Sequence, residues 1–219
     1  MTIATERLLL RDWRDEDLEP LTELFADPQV MRYFDRTRSP EQTAQWLANV
    51  RAHHAQHGFG LWAVEAPEVA DLIGFAGLVH VGATMPMAPA VEIAWTFHWR
   101  HWKQGYATEA AGAALADGFA RLNLREVVAF TTPVNLASQN VMRRLHMIRA
   151  AELDFDHPRI LVGHPLRRHV VYRAIRPASS WPRPRVSNLR PDVQAAMAAM
   201  AAAEAALAAA REEETKDEG

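Results

Sequence analysis

The chain has 219 residues, with 49% apolar and 23% charged residues, a formal net charge of -3 and no cysteine. At about 150 residues per domain this suits one domain with an appendage, and zero cysteine excludes disulfides, thiolate metal sites and a covalent cysteine intermediate. Near-neutral charge argues against nucleic acid as a partner, no apolar run approaches the ~18 residues of a membrane span, and Met1 to Arg7 lacks the basic and apolar parts of a secretion signal, so a cytoplasmic protein is expected.

Arg7-Leu8-Leu9-Leu10-Arg11 reads as a first strand, and Asp15 as the cap of a helix to about Ala26 with Leu18, Leu21, Leu24 and Phe25 on its apolar face. Ser39-Pro40-Glu41-Gln42 opens the next helix: Ser39 is the N-cap, Pro40 takes the first helical position and Gln42 completes a capping box, with the helix running to about His57 and stopping at Gly58. Gly60 to Glu65 and Leu72 to Val79 read as an antiparallel hairpin. Val91 to Phe97 is a strand, Tyr106 to Arg121 a helix, Glu126 to Thr131 a strand and Asn135 to Leu145 a helix; Ile148 to Phe155 and His169 to Ile175 are the closing strands. This order predicts an α+β fold with a mixed sheet and not a doubly wound one.

Residues 177–190, with three prolines between Arg176 and Arg185, read as a linker, and residues 191–219 as a tail. Pro191 to Arg211 holds 12 alanines in 21 residues, which predicts a helix with a thin seam of Val193, Met197, Met200 and Leu207, either frayed or docked on its own chain, or paired with another subunit as in a homodimer. Arg211 to Gly219 carries two basic and five acidic residues, so the formal charge belongs to this end of the tail and the rest of the chain, residues 1–210, is formally neutral.

The chemistry concentrates between Trp95 and Ala110. A strand ends near Phe97, a loop crosses, and an amphipathic helix begins near Tyr106. Its unpaired amides and positive dipole end suit a pyrophosphate, with Gly105 allowing close approach and Thr108 adding a hydroxyl; the same pattern also suits a plain strand-to-helix turn. No Walker loop or three-glycine dinucleotide fingerprint is present.

The run Trp102-Lys103-Gln104-Gly105-Tyr106-Ala107-Thr108-Glu109-Ala110 resembles the acyl-CoA pyrophosphate loop of the GNAT N-acetyltransferases, in the branch typified by the RimJ and RimL ribosomal-protein acetyltransferases. Asn135 to Met147 is similar to the branch's Asn-x-x-Ser helix, and Thr5 to Arg11 followed by Asp27 to Tyr33 to its opening. The resemblance spans roughly Thr5 to Arg176. It implies a GNAT fold with two splayed parallel central strands and acetyl-CoA as co-substrate without a metal. The acceptor would be a primary amine on a protein N-terminus or a small molecule. By that resemblance, the Trp95 and Phe97 main chain pairs with pantetheine, residues Gln104, Gly105, Tyr106, Ala107 and Thr108 hold the pyrophosphate, Asn135 and Ser138 contact the pantetheine end, and Ser138 protonates the leaving thiolate.

Along Val91 to Phe97 large apolar residues alternate with Glu92, Ala94 and Thr96, which puts a carboxylate on the face of small residues. Glu92 is the expected general base, matching the glutamate at this strand position in the family. Its bland alternative is a sheet-surface acid, and that of Ser138 a hydroxyl bonded within its own turn. Two departures from the family pattern fall at usual glycines. Lys103 is expected to avoid a positive φ and to bring its ammonium near the CoA phosphates, while His146 is expected to take the left-handed conformation at modest cost. His53, His54 and His57 read as a cationic helix tip, the His53 and His57 spacing alone being too little for a metal. Phe155 to Pro158 and Gly163 to His169 either line the acceptor pocket or form a packed polar loop. An acyl-CoA-binding sensor without turnover is the rival to an enzyme.

Overall fold

The computed structural model describes residues 2–176; the linker and the alanine-rich tail lie outside the described residues. Strands β1 (Ile3–Ala4), β2 (Leu9–Arg11), β3 (Leu61–Ala66), β4 (Ala70–His80), β5 (Val91–Phe97), β6 (Glu126–Thr131), β7 (Ile148–Arg149), β8 (Phe155–Asp156) and β9 (Arg168–Ile175) form one sheet. The order is β1-β2-β3-β4-β5-β6-β9-β7, with β8 also pairing β9. Every pairing is antiparallel except β5 with β6.

The α-helices among the described residues are α1 (Leu18–Ala26), α2 (Pro28–Met31), α3 (Pro40–His57), α4 (Tyr106–Ala120) and α5 (Leu136–Arg144). Strand alternation divides the core between the two faces of the sheet. Ile93, Phe97, Val127 and Ala129 pack with Ala111, Leu115 and Phe119 of α4 and Met142 of α5. On the other face Leu61, Ala63 and Phe75 meet Leu21, Leu24 and Phe25 of α1 and Leu47 and Val50 of α3.

The start of α3 follows its sequence signals closely. Ser39 Oγ accepts from the Gln42 amide at 3.3 Å, Gln42 Oε1 accepts from the Ser39 amide at 3.0 Å, and Gly58 ends the helix at φ 70°. The entry to α1 differs from expectation. Asp15 to Asp17 form one tight 3-10 turn, and it is Asp17, not Asp15, whose carboxylate accepts from the Arg14 amide at 2.7 Å. Asp15 lies outside, paired with Arg51 at 2.8 Å.

The reason is Arg11, which is 4% exposed. Its guanidinium meets Asp17 through two bonds of 2.7 and 2.8 Å, Glu65 at 2.7 Å, and the carbonyls of Asp12 and Asp71 at 3.2 and 2.7 Å. All five N–H donors are thereby satisfied. Burial opposes the charge, but the two carboxylates outweigh it and hold the guanidinium pKa above its ordinary value. This cluster ties β2, β3, β4 and the entry to α1 together.

The expected strand from Ile148 to Phe155 is broken. Ala151 to Leu153 form a 3-10 turn, while Ile148–Arg149 and Phe155–Asp156 pair separately with β9. Across the break the Ala150 amide donates to the Val171 carbonyl at 2.9 Å, and Asp154 Oδ1 accepts from the Val171 amide at 3.1 Å. A carboxylate replaces the backbone acceptor that a regular strand would supply, so the extra residues bulge without orphaning the ladder.

Replacing Arg11 with methionine leaves Asp17 as a buried charge without its cation and Glu65 with only the longer Arg14 contact at 3.6 Å. Urea unfolding is expected to show a loss of about 3–5 kcal/mol, appearing as a lower midpoint or as insoluble expression.

Candidate active site

β5 and β6 pair at a single position, Glu92 with Val128. On their outer sides both strands are fully committed: β5 pairs with β4 along its whole length and β6 with β9 along its whole length. From Glu92 toward their carboxyl ends the two strands part, and the wedge between them is the site.

The register shows which groups face the wedge. His98 N–H donates to Ile73 at 3.0 Å and Val81 N–H to Ala90 at 2.9 Å, so even-numbered residues of β5 turn their main chain toward β4. Ile93, Trp95 and Phe97 therefore turn theirs toward β6. The Phe97 carbonyl is capped by the Trp102 indole N–H at 2.7 Å. This leaves both main-chain groups of Trp95 and the N–H of Phe97 on an open strand edge, the arrangement to which an extended amide-bearing chain can add.

Beyond β5 a 3-10 turn from Trp99 to His101 leads into Lys103, Gln104 and Gly105 and then α4. Gly105 sits at φ 84°, and its carbonyl accepts from the Thr108 and Glu109 amides at 3.0 and 3.1 Å. The amides of Gln104, Gly105, Tyr106 and Ala107 donate to nothing among the described residues. They form a cluster of oriented N–H groups at a helix N-terminus, suited to phosphate oxygens. The Thr108 hydroxyl is buried with no hydrogen-bond partner among the described residues, so it is not presented on the open side of the loop as the sequence suggested.

Lys103 corrects another expectation. It lies at φ 63°, in the left-handed region that the usual glycine would occupy without strain. Its side chain is exposed. His146 takes φ 56°, as expected.

Arg7 holds the loop from a distance that sequence reading could not bridge. Its Nη1 donates to the Gln104 carbonyl at 3.0 Å, its Nε and Nη2 to Glu109 at 2.8 and 2.6 Å, and its guanidinium lies over the Tyr106 ring at 4.8 Å. Thr5 Oγ1 adds a 2.6 Å bond to Glu109. Arg7 and Glu109 each lie within a family-like motif, but they stand 102 positions apart and no local signal joins them.

At the end of β6, Asn135 caps α5 by accepting from the Ser138 amide at 3.2 Å, and its Nδ2 donates to Thr131 Oγ1 at 2.9 Å and Ser138 Oγ at 3.1 Å. Ser138 Oγ is thus an acceptor from Asn135, with its own proton left to give.

Glu92 projects from the face that carries Ala94, at the point where the strands part. Burial pushes its carboxyl up to about 8, opposed by the guanidinium of Arg159. Arg159 belongs to the loop after β8, which is therefore near enough for its charge to act on Glu92. In the same loop burial, His169 and Arg159 bring His157 down to about 4.

A family model described as "Acetyltransferase (GNAT) domain" matches residues 7–148. The chain belongs to the GNAT acetyltransferase family. It is 32% identical over 146 residues to the Bacillus subtilis (strain 168) protein YkkB, covering 66% of this chain and 84% of that one. A GNAT-family acetyltransferase from Bacillus anthracis superposes with a TM-score of 0.65 at 26% identity, over 80% of this chain and 98% of the other. RimL, a ribosomal L7/L12 alpha-N-protein acetyltransferase solved with coenzyme A joined to it by a CoA–cysteine disulfide, shares the fold at a TM-score of 0.64 and 20% identity, over 80% of this chain and 98% of that one. The GNAT fold expected from the sequence is therefore present, and the chain is an acyltransferase enzyme. No described helix is long and apolar enough to cross a membrane.

Lys103→Gly is expected to stabilise the protein. Relief of a left-handed side chain is worth about 1–2 kcal/mol and the added unfolded-state freedom of glycine returns about 0.4–1 of it, a net gain of about 0.5–1 kcal/mol. Calorimetry should show a melting point about 1–4 °C higher.

Proposed function

We propose that this acetyltransferase moves the acetyl group of acetyl-CoA directly to a primary amine, on a protein N-terminus or a small molecule, through a ternary complex. One observation carries the reading: an enclosed carboxyl, Glu92, stands where the one parallel strand pair among the described residues opens. An acid kept near neutrality is matched to taking a proton from an amine.

In this reading the Trp95 and Phe97 main chain aligns the pantetheine arm, and residues Lys103, Gln104, Gly105, Tyr106 and Ala107 hold the pyrophosphate. The free amides, the left-handed Gly105 and the open β5 edge all fit that co-substrate. Glu92, ionised, accepts the proton that the amine nitrogen sheds as it bonds to the thioester carbon. A wedge-facing main-chain N–H steadies the oxyanion. When the carbon–sulfur bond breaks, Ser138 gives its hydroxyl proton to the sulfur and regains one from solvent, held in place by Asn135 Nδ2. With no cysteine in the chain, no acyl-thiol enzyme forms.

The loop after β8 carries a guanidinium, Arg159, that acts on Glu92. Arg38, stacked over Phe25 at 4.7 Å, has its pKa lowered by burial, with Asp35 opposing and the charge of Arg159 adding to the effect. Arg159 acts on Glu92, and Arg38 lies within electrostatic reach of Arg159, so this side favours an amine whose molecule also carries an anionic group over a polycation.

The reaction class is tested by calorimetric titration with acetyl-CoA and by thiol release over a panel of amino acids, peptides with free N-termini and polyamines. Binding with amine-dependent release of CoA is expected, strongest for acceptors bearing a carboxylate. Binding with no release from any amine would leave a sensor in place of a catalyst, and a preference for polyamines would overturn the acceptor assignment.

The role of Glu92 is tested by Glu92→Gln. A drop of about 100-fold in kcat/KM is expected at high pH. The wild-type to variant ratio should rise through about pH 8, the value to which burial brings this carboxyl. The acceptor's own titration cancels in that ratio, so a flat ratio refutes the assignment. Stability moves the other way. Between the ordinary carboxylate range and pH 8 only the folded state keeps the proton, so wild-type stability falls as pH rises, and Glu92→Gln should melt progressively higher than wild type over that window.

A further inference from the structure

On the side of the molecule away from the α4 loop, the carboxyl end of α3 meets the carboxyl end of β4. His53 and His57, one helical turn apart, converge there with His80, the last residue of β4. The ring centroids of His53 and His57 are 4.6 Å apart, those of His57 and His80 4.6 Å, and those of His53 and His80 5.5 Å. One imidazole nitrogen from each lies within 4.8 Å of the other two.

His53 is already oriented as a ligand. Its Nδ1 lies 3.0 Å from the Phe59 carbonyl, which can only accept, so the proton is on Nδ1. The Nε2 lone pair then faces the cluster, where its present partner is the His80 amide at 3.2 Å. A carbonyl holding the far nitrogen of a histidine is the support that metal-bound imidazoles usually have, because it fixes both tautomer and ring direction. The Phe59 ring packs against all three imidazoles, at 5.3 Å from His53, 6.1 Å from His57 and 5.0 Å from His80, and so forms an apolar floor. His57 and His80 are exposed and can close on an ion by side-chain rotation.

The expected cationic helix tip does not suit this arrangement. A cationic tip would place three positive rings with nitrogens within 4.8 Å of one another, which like-charge repulsion opposes. The i, i+4 pair was visible in the sequence. His80, 23 positions further on, was not associated with it, because only the β3–β4 hairpin and the αL turn at Gly58 bring strand and helix ends together.

We propose that His53, His57 and His80 form a binding site for a divalent transition metal of the zinc class, which clips α3 to the end of β4. Three imidazoles and one solvent position make a four-coordinate site. Nitrogen-only ligands favour zinc, copper or nickel over magnesium or calcium. The site is independent of acetyl transfer, since none of its residues belongs to the wedge.

The test uses tag-free full-length protein, stripped with EDTA and exchanged into a non-chelating buffer, titrated with zinc chloride alone. One saturable site per chain is expected, with a rise in melting temperature on zinc addition and visible absorption from four-coordinate cobalt on substitution. His57→Ala and His80→Gln should each weaken binding at least about tenfold, the scale of a lost ligand or supporting group. His54→Ala, whose ring pairs with Asp12 outside the cluster, should bind as wild type does. Because His57 and His80 are exposed, both variants are expected to fold, and circular dichroism checks it. Absence of saturable binding, or binding that survives both substitutions, overturns the proposal.

Discussion

The structure turns on a seam that does not close. An interior strand normally spends its backbone donors and acceptors on both neighbours, because an orphaned N–H inside a protein costs about as much as a lost hydrogen bond. β5 does this on one side only. Its pairing with β6 ends at Glu92, while each strand is fastened along its full length to its other neighbour. Closing the wedge would require one of those antiparallel ladders to slip. A one-residue slip would move Ile93 and Phe97, or Val127 and Ala129, from the α4 core to the other face. The open edge is therefore maintained by the two cores and not by anything within the wedge.

Everything around the wedge follows from keeping its mouth in shape. The strands run parallel, so the chain leaves both at the same end, and the N-termini of α4 and α5 arrive there together. Each is fastened back to the strand it follows. Trp102 donates to Phe97 on one side, with Arg32 over its indole at 5.1 Å, and Asn135 donates to Thr131 on the other. Arg7 then crosses from the first strand region to hold the Gln104 carbonyl, directly before Gly105. These contacts explain how the loop sustains left-handed residues at both Lys103 and Gly105: indole, guanidinium and carboxylate bonds offset a conformation that costs about 1–2 kcal/mol for a residue with a side chain.

What the sequence made legible was what is decided within a few residues. The Ser39 and Gln42 capping box, the stop at Gly58, the start of α4 and the alternation along β5 are all written locally, and the structure has them. The misreadings arose where a distant group intervened. Asp15 reads as the cap because nothing local reveals that the buried Arg11 will hold Asp17 in the entry turn; the closing strand looks continuous because nothing nearby reveals that Asp154 will serve the Val171 amide. Lys103 failed for a related reason. The turn geometry is imposed by Trp102 and Arg7 on a residue whose own preference opposes it, so propensity pointed the wrong way. Of the candidate site, the residue types were readable and their supports were not.

The opposing demands on Glu92 set the character of the proposed chemistry. A carboxylate in open water is too weak a base to compete for an amine proton, and one sealed fully in the core would never ionise. At the crotch of the wedge it is enclosed enough to be raised to about 8, yet close enough to Arg159 that ionisation remains attainable. That position is available because the small side chains on its face of β5, Ala94 and Thr96, leave room beside it, whereas the opposite face is filled by Val91, Ile93, Trp95 and Phe97. Swapping the two faces would bury the acid against α4 and point the aromatic residues into the wedge. Strand parity, a property of period two, thus decides both where the protein packs and where it can hold a proton.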